Sequence, residues 1–507
     1  MHLPSKQRVY NWYISLVAAS TMVLYGYDAS VFNAVQGSDN WKNYWGNPNS
    51  NLLGTINTAY TCGGIAAGWF FSAPISDRFG RRMSITIGCI LVIASTFIQA
   101  FAPEGHGVGG FLAGRTIIGF GQGIALPAGP VYIGELAPAD IRGKIMSFWQ
   151  MFYSVGSFLA FWINYACTKN KSHLSHDWDW RMVVIFQIMV PIIIISLIWF
   201  CPETPRWFIQ KGRIEEAKAA LRRVRDTEEE IEEEVAQVQQ ALQFERETLD
   251  GSYLPLWKDK SLRKRLLLAF VINFGQQVTG QGSLNSYSTL IYKKVFNNNS
   301  TIQLINALNG TFGILFTLTA TFTVDTWGRK MVLFIGAIGM SICMIISASV
   351  YVGTPTYAED TKSTQVGAGI VVMMFMFAFF YKPSWGAVVW IWTGEVFSMN
   401  VRAQAVGMSS QMQNVGNLIV NQIFPLILEK IGFKAMYMFA GINLVLAAFV
   451  WFFLPETKNV RLEEMDALFG GVNHIEKGAT LVEGQSHHLV SDEKGQDLTI
   501  EEVGRKV

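Results

Sequence analysis

Twelve apolar stretches, each about 20 residues long, run through the chain in two sets of six. The first set falls near 12–34, 55–75, 84–102, 111–134, 145–167 and 182–201, the second near 265–291, 303–324, 331–352, 367–394, 403–428 and 434–454. Segments of that length cross a bilayer as helices, because only a helix satisfies its backbone groups internally where lipid offers no partner. Composition agrees: 50% of residues are hydrophobic and 15% charged, where a soluble domain carries roughly 25% charge. The expected fold class is an all-α membrane protein with twelve transmembrane helices in two six-helix halves. The first stretch follows Lys6 and Arg8, is too long for a signal-peptide core and precedes no small-residue cleavage site, so it reads as a retained helix.

The two halves repeat one another. Asp77-Arg78-Phe79-Gly80-Arg81-Arg82 after the second stretch recurs as Asp325-Thr326-Trp327-Gly328-Arg329-Lys330 after the eighth. Glu135 with Arg142 recurs, at the same separation, as Glu395 with Arg402, and Pro202-Glu203-Thr204 recurs as Pro455-Glu456-Thr457. Three motifs in one order in both halves mean a duplicated six-helix unit, and two such units with a site between them is a transporter architecture. Residues 1–201 form the first half, 202–262 a linker, 263–455 the second half and 456–507 a tail. The linker carries Ala217, Leu221, Val224, Ile231, Val235, Val238 and Leu242 at helical spacing in a charged sequence, so it reads as helices lying at the membrane surface. Beyond about Phe469 the tail is polar and without periodicity, and reads as disordered.

Lys and Arg of the short loops fall on one side, which is then cytoplasmic and holds both termini. The opposite side carries overlapping glycosylation acceptors at Asn298 and Asn299. On the basic side, Arg82, Glu135, Arg142, Glu203, Arg329, Glu395, Arg402 and Glu456 form a candidate cytoplasmic gate, a charge network that joins the halves when the outer side is open. The alternative is that these arginines only set topology. With 40 basic and 38 acidic residues in scattered short segments, nucleic acid is not an expected partner. The spans hold no paired histidines, metal-ligand spacing or glycine-flanked serine nucleophile, so neither an enzyme nor a cofactor is indicated. The five cysteines sit in or beside apolar stretches and read as ordinary packing.

Over residues 10 to 460 these motifs resemble the sugar porter family of the major facilitator superfamily. Beyond the paired loops, the family's pattern appears as Pro202-Glu203-Thr204-Pro205-Arg206-Trp207 and as Arg115, Gly119, Gly121, Glu135 and Arg142-Gly143, with small departures at Ala403 and Asn459. The resemblance implies a major facilitator fold and sugar contacts at Gln150, Gln276, Gln277, Trp390, Gln413 and Asn417. Amides supply donors and acceptors to sugar hydroxyls, and an indole covers an apolar ring face. It also implies that Asp28 and Arg115 form a proton-handling ion pair, in which separation favours protonation of the carboxylate. Gly282 and Gly313 stand where the hexose pattern has asparagine, and this segment, with Leu308-Asn309-Gly310, is similar to the fungal lactose and cellodextrin permease branch.

Lys382 precedes Pro383 and lies thirteen residues before Glu395, at ~1.5 Å per residue a depth of some 20 Å. A cation there costs roughly 2.5–3.5 kcal/mol on insertion scales. It either snorkels outward past the proline or binds substrate oxygens or an acid group. The expected function is sugar transport by alternating access, as a sugar/proton symporter for a mono- or disaccharide. The alternatives are a facilitated-diffusion uniporter, a porter of a polyol or of a sugar acid such as quinate, and a nutrient sensor on the same fold. Expected partners are the sugar, the proton and the lipid bilayer, with the chain acting as a monomer in the plasma membrane.

Overall fold

Short polar signals set several of the helix starts, and most helices extend past their apolar run at one end or both, whereas the last, Ala435–Phe453, stops within it. The computed structural model describes residues 6–103, 108–138, 141, 145, 149–169, 174, 177–248, 257, 259–355, 362–397, 402–458 and 469. The long helices of the first half are α1 (Lys6–Val35), α2 (Ser50–Ala66, a π-helical turn Ala67–Phe71, then Ser72–Phe79), α3 (Arg81–Phe101), α4 (Gly109–Leu136), α5 (Trp149–Lys169) and α6 (Trp178–Ile185, a 3-10 turn Phe186–Ile188, then Met189–Ile198), with a short helix Asp39–Tyr44 between α1 and α2. Those of the second half are α7 (Lys260–Val278, then Gln281–Lys293), α8 (Asn299–Leu318, then Ala320–Trp327), α9 (Arg329–Gly353), α10 (Thr364–Tyr381, a π-helical turn Lys382–Gly386, then Val388–Glu395), α11 (Arg402–Ile431) and α12 (Ala435–Phe453). Asn49, Asn298 and Ser363 cap α2, α8 and α10 by accepting a backbone N–H of the first turn.

By length and hydropathy alone, eight stretches among the described residues qualify as spans, α11 and α12 counting as one. The helices that fall short are α2, α5 and α7. A π turn interrupts α2, Gly280 at φ 105° breaks α7, and α5 carries Tyr153, Trp162, Asn164 and Tyr165. Each of the three packs on the other half, α2 on α11, α5 on α8 and α7 on α1. Less of their surface has to face lipid, so a weaker apolar signal suffices.

The repeated loops have one structural purpose in both halves. Gly80, at φ 94°, turns the chain from α2 into α3, and Glu203 lays its carboxylate on the exposed N-terminus of α3, accepting from the N–H groups of Arg81 (3.0 Å), Arg82 (3.1 Å) and Thr204 (2.9 Å). Gly328, at φ 82°, does the same before α9, and Glu456 accepts from the N–H groups of Arg329 (2.9 Å), Lys330 (3.0 Å), Thr457 (3.0 Å) and Lys458 (3.0 Å). A Cβ at Gly80 would lie 2.2 Å from the Glu203 carboxylate, so the glycine is needed for space as well as for its positive φ. Burial pushes the Glu203 carboxyl above the usual range, and the backbone amides of Thr204, Arg82 and Arg81 oppose that shift.

The linker forms helices at Pro205–Gln210, Ile214–Leu221 and Glu228–Thr248. Its apolar stripe is covered by protein, not by the membrane surface: Ala217, Leu221, Val224, Ile231 and Val235 are buried with Leu136, Ile141 and Ile145 of the first half. Asn11 Nδ2 donates to the Val224 carbonyl (2.9 Å), and Arg225 donates to the Leu136 carbonyl (3.1 Å). We call the end of the bundle that holds the linker and the Gly80 and Gly328 turns the linker end, and the opposite one the far end.

Within the first half the closest approach is between α2 and α4, where a Cβ at Gly119 would lie 1.9 Å from the Tyr60 carbonyl oxygen and one at Gly63 would lie 2.1 Å from that of Thr116. Gly119→Val is expected to lower stability by about 1–3 kcal/mol or to prevent folding, whereas Gly134→Val, at a position with open space around it, leaves the melting temperature of the purified protein near wild type. Equal behaviour of the two variants would show that the α2–α4 approach is not tight. Glu203→Ala and Glu456→Ala each leave several helix N-terminal donors without an acceptor. Each should cost about 1–3 kcal/mol, read as a drop in Tm in detergent, and unchanged Tm values would remove the capping role.

Candidate functional site

In α10, Pro383 has no N–H to donate and the helix loosens into the π turn Lys382–Gly386. The turn re-aims Lys382 into the seam between the halves. Its side chain is only 8% exposed, Nζ donates to Ser154 Oγ of α5 at 3.2 Å and lies 5.6 Å from the centre of the Tyr153 ring. Ser154 Oγ is in turn 3.4 Å from Thr317 Oγ1 of α8. The outward snorkelling considered from the sequence is therefore not what the lysine does: the loosened turn points it across the seam instead of along the helix. Among the described residues no carboxylate pairs with it, and Ser154 takes one of the three donors of the ammonium.

Around this point the sequence-predicted amides fall into two kinds. Gln276 donates to the carbonyls of Trp385 (2.8 Å) and Gly386 (3.3 Å), bracing the π turn, and its Oε1 is buried without a partner. Gln413 donates to Asn273 Oδ1 (2.7 Å), and Asn273 donates to Thr393 Oγ1 (2.9 Å), so this amide joins α11, α7 and α10. Asn417 accepts from Asn421, whose carbonyl accepts from the Tyr287 hydroxyl (2.6 Å). Gln277, by contrast, is half-buried and makes no side-chain hydrogen bond among the described residues. Trp390 is 46% exposed, while Trp385 and Trp392 on the same helix are fully buried. The side chain of Gln150 lies outside the described residues. Asn273 was missed in the sequence, although its position one turn before Gln277 marks it as part of the same helix face.

Asp28 and Arg115 are both fully buried and adjacent, but not as the expected carboxylate–guanidinium pair. Arg115 donates to the backbone carbonyl of Asp28 (3.0 Å) and lies over the rings of Tyr60 (4.7 Å) and Phe32 (5.5 Å). The Asp28 carboxylate is held by two amides, Gln122 of α4 donating to Oδ2 and Gln187 of α6 donating to Oδ1 (3.0 Å). Two neutral donors have replaced one cation because the arginine side chain is drawn into an aromatic pocket. Gln122 follows Arg115 by two helical turns, a spacing that could have disclosed it; Gln187 sits in the 3-10 turn of α6 and had no such signal.

The far end is closed by hydrogen bonds between the halves. Asn33 of α1 donates to the Asn285 carbonyl (2.8 Å) and Ser288 Oγ (2.7 Å) of α7 and accepts from the Thr289 N–H (3.1 Å), and Gln36 donates to the Ser286 carbonyl (2.7 Å). Asn164 of α5 donates to Gln303 of α8 (2.5 Å), and Thr58 of α2 meets Gln422 of α11 (3.0 Å). At the linker end the predicted gate residues bond within a half: Glu135 with Arg81, which the prediction did not include (3.2 Å), Arg329 with Glu395 (2.7 Å), and Arg82 with the Cys201 carbonyl (3.0 Å). Glu203 and Glu456 serve backbone amides. Arg142 and the side chain of Arg402 lie outside the described residues. The arrangement is a buried polar seam sealed on the far side.

The chain is similar to known proteins in sequence and in fold. Residues 14–469 match the family described as "Sugar (and other) transporter". A protein named probable quinate permease from Aspergillus niger is 30% identical over 486 residues, covering 92% of this chain and 89% of that protein, and the quinate permease of Neurospora terricola is 28% identical over 490 residues, covering 92% and 90%. Among solved structures, the inward open conformation of the E. coli xylose transporter XylE superimposes with a TM-score of 0.75 at 26% identity, covering 90% of this chain and all of that one; the proton:xylose symporter XylE bound to 6-bromo-6-deoxy-D-glucose gives 0.70 at 26% identity, covering 91% and all of it. With its family match over 14–469 and, among the described residues, twelve long helices in two repeated halves, this chain belongs to the sugar (and other) transporter family and is a multi-pass membrane transporter of the major facilitator fold.

Proposed function

We propose that the protein carries a small polyhydroxylated acid of the quinate type across the membrane by alternating access, together with a proton. The observation that carries the acid is Lys382, an ammonium in the seam with one hydroxyl partner and no carboxylate among the described residues. A buried cation without a counter-ion is costly, and a substrate carboxylate supplies that counter-ion only when bound. The relatives named quinate permease support the same class. Gln277, the free Oε1 of Gln276 and the half-exposed face of Trp390 suit the hydroxyls and ring of such a substrate. A neutral sugar is the second reading, favoured by this amide and indole set and by the likeness to a proton:xylose symporter.

The linker end, with Arg81, Arg82, Arg329 and Lys330, is assigned to the cytoplasm on the rule that short cytoplasmic loops keep Lys and Arg. The sealed far end then faces outside, and the geometry fits the inward-facing half of the cycle; the plasma membrane is the proposed location and a single chain the proposed working unit. Proton coupling runs through α1. Asp28 lies five residues before Asn33, about 7.5 Å along one helix, so one rigid element carries both the buried carboxylate and the far-end seal. Gln122 and Gln187 both donate to the carboxylate and satisfy its charge while they hold it. When the seal breaks, α1 shifts, the amide clamp loosens, and the carboxylate takes up a proton from the outside.

In proteoliposomes an imposed inward proton gradient should raise internal quinate above equilibrium, and Asp28→Asn should abolish accumulation while quinate exchange persists. If wild type only equilibrates quinate under a gradient verified to last, the protein is a uniporter. Lys382→Met should weaken quinate transport about tenfold or more relative to xylose, the scale of a charge-assisted hydrogen bond. An unchanged ratio of the two would leave the neutral-sugar reading in place of the acid one.

A further inference from the structure

Gly313 of α8 lies directly beside the Lys382 ammonium. A Cβ built there would sit 3.7 Å from Lys382 Cε and 3.9 Å from Nζ, ordinary contact distances, with no other described atom within 4 Å apart from the backbone of its own helix and its chain neighbours. The glycine therefore leaves a slot whose one wall is the cation. The other sides of the ammonium are occupied by Ser154 Oγ at 3.2 Å and the Tyr153 ring at 5.6 Å. One turn further along α8, Thr317 returns its hydroxyl to the Gly313 carbonyl (2.8 Å), so this carbonyl is already engaged.

We propose that Gly313 is the specificity-determining position of the site: by having no side chain, it keeps a donor of Lys382 open to a substrate carboxylate. This rests on the reading of Lys382 as the carboxylate partner. An asparagine at 313 fits sterically, because its Cβ makes only ordinary contacts, and its amide oxygen comes within hydrogen-bond reach of Nζ. That oxygen would fill the slot and occupy the donor, turning an acid site into one for a neutral, hydroxyl-bearing ring. Glycine at 313 and lysine at 382 thus act as one unit, the first providing the room and the second the charge. A serine would act in the same sense more weakly, with a shorter reach.

The test uses the full chain, purified and reconstituted, with quinate and xylose as probes in equilibrium binding to wild type, Gly313→Asn, Gly313→Ser and Lys382→Met. Gly313→Asn should weaken quinate about tenfold or more and xylose less than threefold, and Gly313→Ser should shift the ratio in the same direction by less. If Gly313→Asn does not fold, judged by size-exclusion profile, Gly313→Ser decides. Wild-type quinate-to-xylose ratios in both Gly313 variants, with the ratio altered in Lys382→Met, would overturn the role of Gly313 and leave the acid reading standing. A ratio unaltered in Lys382→Met as well would overturn both.

Discussion

Lipid provides no hydrogen-bond partner, so each polar side chain on a spanning helix has to find one inside the protein. In this chain that requirement gathers polar residues into the seam between two apolar half-bundles and into the centre of each half. Across the seam Asn33 is satisfied by α7 and Asn164 by α8, while within a half Asn273 is satisfied by α10 and the Asp28 carboxylate by α4 and α6. These bonds tie helices together and leave a few groups with spare capacity, notably Lys382, Gln277 and the Oε1 of Gln276. A site for a polar solute is what remains when a polar seam is incompletely satisfied by the protein itself.

The duplicated unit shapes that seam in a symmetric way. α2 packs on α11 and α5 on α8, pairs that exchange when one half is mapped on the other, while α1 and α7 pair with each other. The linker end repeats the same device twice: a glycine with positive φ, a carboxylate on the next helix N-terminus, and an arginine bound to a glutamate of its own half. These caps hold each half rigid. Rigid halves are what alternating access needs, since the halves must move as bodies while the seam between them changes.

Against that symmetry the functional groups are asymmetric. Asp28, with its amide clamp, belongs to the first half and lies on the helix that seals the far end. Lys382 belongs to the second half and reaches into the first through Ser154. The proposed proton site on one side of the seam and the proposed substrate cation on the other are placed so that relative movement of the halves would alter both. The π turn at Lys382–Gly386 and the break at Gly280 put irregular backbone only where protein covers it, with Gln276 satisfying the carbonyls of Trp385 and Gly386.

Helix number, the duplication and the family were legible in the sequence because they rest on local, repeated signals: runs of apolar residues, and Gly80, Glu203 and their copies at fixed spacing. The positions of Asp28, Gln276, Gln277 and Lys382 inside spans were legible too, since a polar residue in an apolar run stands out. What each of them bonds to was not. The direction of Lys382 depends on how Pro383 loosens one turn and on the presence of Ser154 across the seam, a contact between residues 228 positions apart. The clamp on Asp28 depends on Gln122 and Gln187, brought in from two other helices, and on the aromatic pocket that draws Arg115 aside. The linker likewise showed its apolar stripe, but only the packed structure showed that the first half, and not lipid, covers it. Periodicity and spacing are properties of one segment, whereas hydrogen-bond partners are chosen among all segments that the tertiary fold brings together, and that choice is made only when the chain has packed.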